Sequence, residues 1–255
     1  LSRIRVSRDY KPKFGKSGKS GLSLDAFQTL YGDDPFYAWF GLNHPLVYAA
    51  HKAAGGITSL YRQIGKGSEE LFQRILQDEL GLTPEQAAWK YHITTSAGQR
   101  TLALDGRIQL ADVAEQAKRQ RVLEWLQRAA NTLGVATPMR EALLGAVFEV
   151  RQGYKSRDSK RQNADVSNAG AAYSQAYLPV VLVLSTQIDE TVAERYEREK
   201  WLVLRGHIAG SDVYSGYTFM REVVGYDLAA FFNRNSDTIK QTVLEVIEKL
   251  LTPDG

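Results

Sequence analysis

Cysteine is absent from the 255 residues, which excludes disulfides and thiolate metal sites, closes every zinc-finger reading and is compatible with a reducing compartment. No run of roughly 18 apolar residues occurs, so no transmembrane helix is expected. The basic opening stretch leads into no apolar segment of the signal-peptide kind, and a soluble, cytoplasmic protein is the expectation. Histidine is scarce. His44, His51, His92 and His207 form no HExxH pair and no paired metal spacing, so each is read as structural. A GxSxG elbow and a GxGxxG after a strand are also missing. The stretch GKSGKSG, Gly15 to Gly21, invites a P-loop reading, but the position five before Gly18 is Lys13 where the pattern needs glycine. It reads instead as a flexible basic linker. Neither an internal repeat nor a low-complexity region is visible.

What is present is a chain of 44% hydrophobic and 24% charged residues, enough for one sizeable core, and a single elaborated domain over 1–255 is expected. Net charge is only +3, but it is unevenly placed: the first 20 residues carry +6, leaving −3 for the other 235. Residues 1–21 therefore read as a basic N-terminal arm, either a solvated terminus or a phosphate-contacting one.

Between Leu22 and Gly56, GDDP and NHP mark turns, and the aromatic run PFYAWFGL from Pro35 to Leu42 is expected to pack on the core. Ser68 is placed to cap a helix from about Glu69 to Leu80, whose Leu71, Phe72, Ile75, Leu76 and Leu80 share one face. On that wheel Glu69 lies at the edge of the apolar face and Glu70 nearly opposite. Trp89–Thr95 and Arg100–Leu104 read as strands joined by an SAGQ turn, the second ending in Leu104-Asp105-Gly106. Residues 111–144 read as helical, with Lys118, Arg119, Arg121 and Arg128 on a solvated or DNA-facing surface. A strand from Ala146 to Gln152 follows, then a polar loop, a helix from about Asn163 to Ala176 ended by Leu178-Pro179, and an apolar strand from Val180 to Leu184. Strand, helix, strand implies a right-handed parallel crossover. Ile188–Lys200 reads as a helix, Trp201–Leu204 as a short apolar piece, GYTF as strand before GYDLAAFF as helix, and Ser236 as the cap of a last amphipathic helix.

The chemistry concentrates in Gly145 to Asp165, GAVFEVRQGYKSRDSKRQNAD. Strand residues alternate between faces, so Glu149 and Arg151 point one way while Phe148, Val150 and Gln152 point the other. Five basic residues, Arg151, Lys155, Arg157, Lys160 and Arg161, stand against three acids, Glu149, Asp158 and Asp165. Such a locally cationic stretch suits a polyanion. A carboxylate inside an apolar strand is costly unless paired or metal-bound, so Glu149 is either salt-bridged to a neighbour or a metal ligand.

The order helix, three strands, helix, strand, with Asp105 ending one middle strand and Glu149 within another, is similar to the core of the PD-(D/E)XK nucleases over roughly residues 65–190. The stretch FEVRQGYKSRDSKRQNAD, followed by YLPVVLVLSTQID, resembles type II restriction endonucleases and within them the ApaLI-like group. The resemblance implies an α/β restriction-endonuclease-like core, a central mixed sheet flanked by helices, with 111–144 as a helical insertion. It further implies a homodimer that cleaves double-stranded DNA at a short palindromic site. Asp105 and Glu149, with the Val150 carbonyl, become ligands of Mg²⁺, with Mn²⁺ as an alternative; if the helix at 69–80 packs beside such a metal site, Glu69 rather than Glu70 takes part in catalysis, and otherwise both are ordinary first-turn acids. The crowding of Lys155, Arg157, Lys160, Arg161 and Gln162 beside the acids reads as phosphate or base-edge contacts to DNA, or else as a solvated charged turn. Two features depart from the family pattern. The lysine expected two positions after the glutamate is Arg151, so that role falls to Arg151 as an electrostatic group or to Lys155. Asp105 stands 44 positions before Glu149, a long spacing. A repair or exonuclease member of the fold, and a DNA-binding protein with an inactive nuclease core, are the alternative readings.

Overall fold

The apolar stripe that ends at Leu80 continues far upstream of Ser68. In a computed structural model of the chain it belongs to one helix of 36 residues, α4, Pro45–Leu80. Leu60, Ile64, Leu71 and Ile75 keep a single face across Gly65 and Gly67, so Ser68 lies within the helix and not at its start. The structure describes residues 1–14, 20–95, 98–153 and 168–252.

In chain order the elements are α1, Ser2–Arg5, with a 3₁₀ turn Val6–Asp9; α2, Leu24–Tyr31; α3, Pro35–Trp39; α4; α5, Pro84–Ala87; β1, Trp89–Thr95; β2, Gly98–Leu104; and β3, Gly106–Gln109. Then come α6, Gln116–Thr132; α7, Thr137–Ala142; β4, Gly145–Arg151; and α8, helical over residues 168–174. The chain closes with β5, Tyr177–Val183; α9, Glu190–Arg198; β6, Leu202–Leu204; α10, Gly216–Phe219, running into a π turn Met220–Val224; and α11, Leu228–Leu251. Two units emerge, residues 1–67 with 232–255, and residues 68–231. The expected nuclease core, residues 65–190, falls almost wholly in the second.

In the first unit the described part of the basic arm, residues 1–14, is anchored, while residues 15–19 of the expected linker lie outside the described residues. The buried Ser7 hydroxyl donates to Ser59 Oγ at 3.0 Å, and Phe14 joins Phe27 and Tyr48 in an aromatic cluster. Leu60, Val246 and Leu250 form a second cluster, with Ile4 and Tyr10 against it. The aromatic run does not pack inward as expected. Asp34 caps the five-residue α3 and Tyr37 stacks on Tyr31 at 4.2 Å, which turns Phe36, Trp39 and Phe40 outward at 57%, 79% and 67% exposure.

The second unit is α/β. A four-stranded mixed sheet runs β3-β4-β5-β6, with β3 antiparallel to β4 and the others parallel, and helices flank it. β4 and β5 pair in parallel, as expected. Phe148 packs on one face against Phe72, Trp125 and Phe219, with centroids 5.1–6.2 Å apart. On the other, Val147, Val181, Val183 and Val203 meet Trp89, Leu104, Ala169, Ala172, Val192 and Tyr196. All seven residues of β5 are buried, as expected for a strand covered on both faces. Pro179 lies inside β5 rather than ending a helix. The Leu184 N–H bonds to Arg151 O on the β4 side, so by alternation the Pro179 nitrogen faces the β6 side, where pairing starts only at Val180. GYTF is helical, not strand, because the buried Ser215 Oγ accepts from Thr218 N–H and starts α10. Likewise α11 begins eight residues before Ser236, with Asp227 accepting from Ala230 N–H. Among the described residues no helix is long and apolar enough to cross a membrane.

Candidate active site

The strand that the sequence placed at 100–104 runs from Gly98 to Gln109 with a break at one residue, Asp105, so the acid sits at a bend between two strand segments rather than at a strand-to-loop exit. β1 and β2 pair antiparallel as a separate two-stranded sheet. β3 then pairs Gly106 with Phe148, so Asp105, at the bend just before β3, adjoins the part of β4 that carries Glu149 and Val150. Two acids 44 residues apart in the chain are thus brought to one place, Asp105 at the bend before β3 and Glu149 on β4.

Three contacts fix the arrangement. Asp105 Oδ2 accepts from the Val150 N–H at 2.8 Å, so a side chain takes a β4 amide beyond the last paired residue of β3. The Asp105 carbonyl accepts from Gln73 Nε2 of α4 at 2.7 Å. That reach depends on Gly106: a β-carbon there would lie 2.6 Å from Phe72 Cε1, so only glycine lets α4 come this close. On β4, the Glu149 carboxylate pairs with the Arg151 guanidinium, two residues on and on the same face; their side chains are 8% and 11% exposed. Val150, between them, is buried on the opposite face.

Glu69 is half-buried on α4, one turn before Gln73, and Glu70 is exposed, matching the wheel. Nothing in the sequence singled out Gln73. Its only signal is the i, i+4 relation to Glu69, which places the two on one helix face. Lys155, Arg157, Lys160, Arg161 and Gln162 lie outside the described residues. The cations of α6 are largely committed: Lys118 donates to Glu79 O, Arg119 to Val113 O and Ala114 O, and Arg128 pairs with Asp212. Asp112, on the 3₁₀ turn after β3, pairs with Arg107. The described histidine rings are structural: His44 Nδ1 accepts from Leu46 N–H, His51 meets the Phe14 ring and His207 stacks on Tyr214.

The parallel strands end side by side here. Leu184 N–H bonds to Arg151 O, and Tyr217 Oη donates to Leu184 O at 3.0 Å, with the phenol of Tyr217 raised above its ordinary range by burial. Arg205, at the end of β6, makes a two-point contact with Glu190 at 2.5 and 2.9 Å, which holds the Glu190 carboxyl below its ordinary range. Carboxyl ends of parallel strands are where α/β sheets present chemistry.

Among the described residues no group of three or more His, Asp or Glu side chains gathers as a metal cluster. A cation at this place would rest on the Asp105 and Glu149 carboxylates, the Val150 carbonyl and water. That all-oxygen donor set is the kind Mg²⁺ and Mn²⁺ accept. Comparison of the chain with protein-family models, curated proteins and solved structures gives no match.

Proposed function

We propose that the chain is a divalent-metal-dependent endonuclease of the PD-(D/E)XK type, cleaving double-stranded DNA at a short palindromic site as a cytoplasmic homodimer, in the manner of a type II restriction enzyme. The observation that carries this reading is the Asp105 carboxylate held by the Val150 N–H, next to Glu149, at the carboxyl end of β4 and beside the Arg151 guanidinium. One acid alone in a sheet is an electrostatic burden. Two acids brought to one place, one tethered by a backbone amide and one by a cation, make a site.

Asp105 and Glu149 would hold Mg²⁺, which when bound neutralises phosphodiester charge and makes a coordinated water more acidic. The protein's own groups do the positioning. Val150 N–H fixes one oxygen of Asp105, and Gln73 fixes its carbonyl, so the carboxylate is aimed before substrate arrives. Arg151 holds Glu149 in place and offers positive charge to the developing phosphorane. A guanidinium stays protonated in proteins, so Arg151 is an electrostatic group and not a base. A two-fold homodimer would present two such sites to the two strands of a palindrome.

One observation favours a second reading. The buried Glu149–Arg151 pair already satisfies the acid without a metal, as it would in a DNA-binding protein with an inactive core. Incubation with supercoiled plasmid and with linear DNA, in Mg²⁺ and in EDTA, separates the possibilities. Discrete Mg²⁺-dependent fragments support the site-specific endonuclease, and a smear supports the exonuclease or nonspecific form. Intact DNA that is still shifted on a gel supports the inactive core.

A further inference from the structure

The first unit carries a cationic concavity that the proposed catalytic site does not use. It encloses about 480 Å³ and is lined by Tyr10, Lys11, Lys13, Ser20 and Arg62, with Gly55, Thr58 and Ser59 as its floor. Among the described residues no carboxylate lines it. Lys11, Lys13 and Arg62 are exposed, and none forms an ion pair with a described residue.

Two elements build it. Gly55, Thr58, Ser59 and Arg62 follow one another at i, i+3, i+4 and i+7, a single stripe of α4. Across them runs the segment 11–14, in which burial alternates: Lys11 and Lys13 face out while Pro12 and Phe14 face in. That alternation is pinned at both ends. Phe14 sits among Phe27, Tyr48 and His51, and the Pro12 carbonyl accepts from Leu22 N–H at 2.9 Å. Gly21, at φ +73°, passes so close that a β-carbon would lie 2.4 Å from Lys11 O. The lysines therefore project from a fixed backbone.

Three cations held near one another without an anion repel, and a ligand with several negative charges relieves that. Their exposure decides which ligand. A lone phosphate gains only about 1 kcal/mol per contact from a cation in water, whereas each phosphate neutralised on a nucleic acid releases condensed counterions. We propose that this concavity is a second nucleic-acid contact, which seats the phosphodiester backbone through Lys11, Lys13 and Arg62. It rests on the nuclease reading only in taking duplex DNA as the polyanion.

The test is anisotropy of a labelled duplex in EDTA over a salt series, where no cleavage intervenes. For K11Q/K13Q/R62Q the slope of log affinity against log salt falls by about 2–3, since each phosphate contact contributes about 0.9. K11R/K13R/R62K keeps the parent slope, and R140Q/R198Q/R221Q, which removes the same charge elsewhere, leaves it unchanged. Circular dichroism confirms that all three variants fold. The proposal is overturned if the glutamine variant binds with the parent slope, if the three-arginine control loses as much, or if polyglutamate binds the parent as tightly as the duplex does. A plasmid left intact by a parent protein whose binding still depends on these residues removes the nuclease reading and keeps this one. Cleavage with an unchanged slope does the reverse.

Discussion

Replacing Arg151 with methionine strips the guanidinium from a carboxylate whose side chain is only 8% exposed. The methionine fills similar space, so the change is chiefly electrostatic. At the effective dielectric of protein sites two unit charges about 4 Å apart attract by about 4 kcal/mol, and breaking one side of a buried pair costs about 3–5 kcal/mol. A chain of this size loses about 2–4 °C of melting temperature per kcal/mol, so Arg151→Met should melt roughly 6–20 °C below the parent. Glu149→Gln/Arg151→Met, with neither charge, should lie closer to the parent than Arg151→Met does. Calorimetry with added Mg²⁺ then distinguishes a structural pair from a metal site. At ten times its dissociation constant a bound cation adds about 1.4 kcal/mol, so Mg²⁺ should raise the melting temperature of Arg151→Met and leave Glu149→Gln unmoved. An Arg151→Met protein that melts with the parent would show that the ion pair does not hold the site. Equal responses of both variants to Mg²⁺ would show that the cation binds elsewhere.

Phe148→Ala empties a fully buried position between Phe72, Trp125 and Phe219 and should cost about 3–5 kcal/mol by denaturant unfolding. Trp39→Ser, at a residue 79% exposed, should change unfolding free energy by less than about 0.5 kcal/mol in the same assay. The Arg205 contact lowers the carboxyl pKa of Glu190, so its contribution is present above the unfolded value and fades as pH falls through the folded one. Melting curves of the parent and Glu190→Gln should therefore differ near neutrality and converge in acid.

Much of the second unit was legible because its signals are local. Period-2 alternation put Glu149 and Arg151 on one face of β4, and an unbroken VVLVL announced a strand covered on both sides. Helical spacing gave α6 and α9. The misplacements have local causes too. Gly65 and Gly67 each cost a helix about 1 kcal/mol relative to alanine, which makes GKGS read as a boundary, yet the apolar stripe from Leu60 to Ile75 carries α4 through. Asn233, Arg234 and Asn235 look like the polar approach to a cap at Ser236, although Asp227 already supplies one. Aromatic content was taken as burial in PFYAWFGL, but large apolar residues also stand on surfaces. The contact of Asp105 with Val150, beside Glu149, is of another kind. It depends on an antiparallel register closed across the whole α6–α7 segment, and the Gln73 contact depends on a helix packed against a glycine; neither leaves a mark in the neighbouring sequence.

The measurement that bears most directly on the Asp105–Glu149 site is cleavage of supercoiled plasmid by the parent, Asp105→Asn and Glu149→Gln, purified in parallel and assayed with Mg²⁺ and with EDTA. Asparagine keeps an acceptor for the Val150 N–H and glutamine keeps the shape of Glu149, so both variants should fold. Loss of a supporting group at a metal site costs about 10–100-fold, and loss of a ligand at least that. The account predicts Mg²⁺-dependent cutting by the parent that falls at least about 100-fold in each variant. Undiminished cutting by both variants would contradict it.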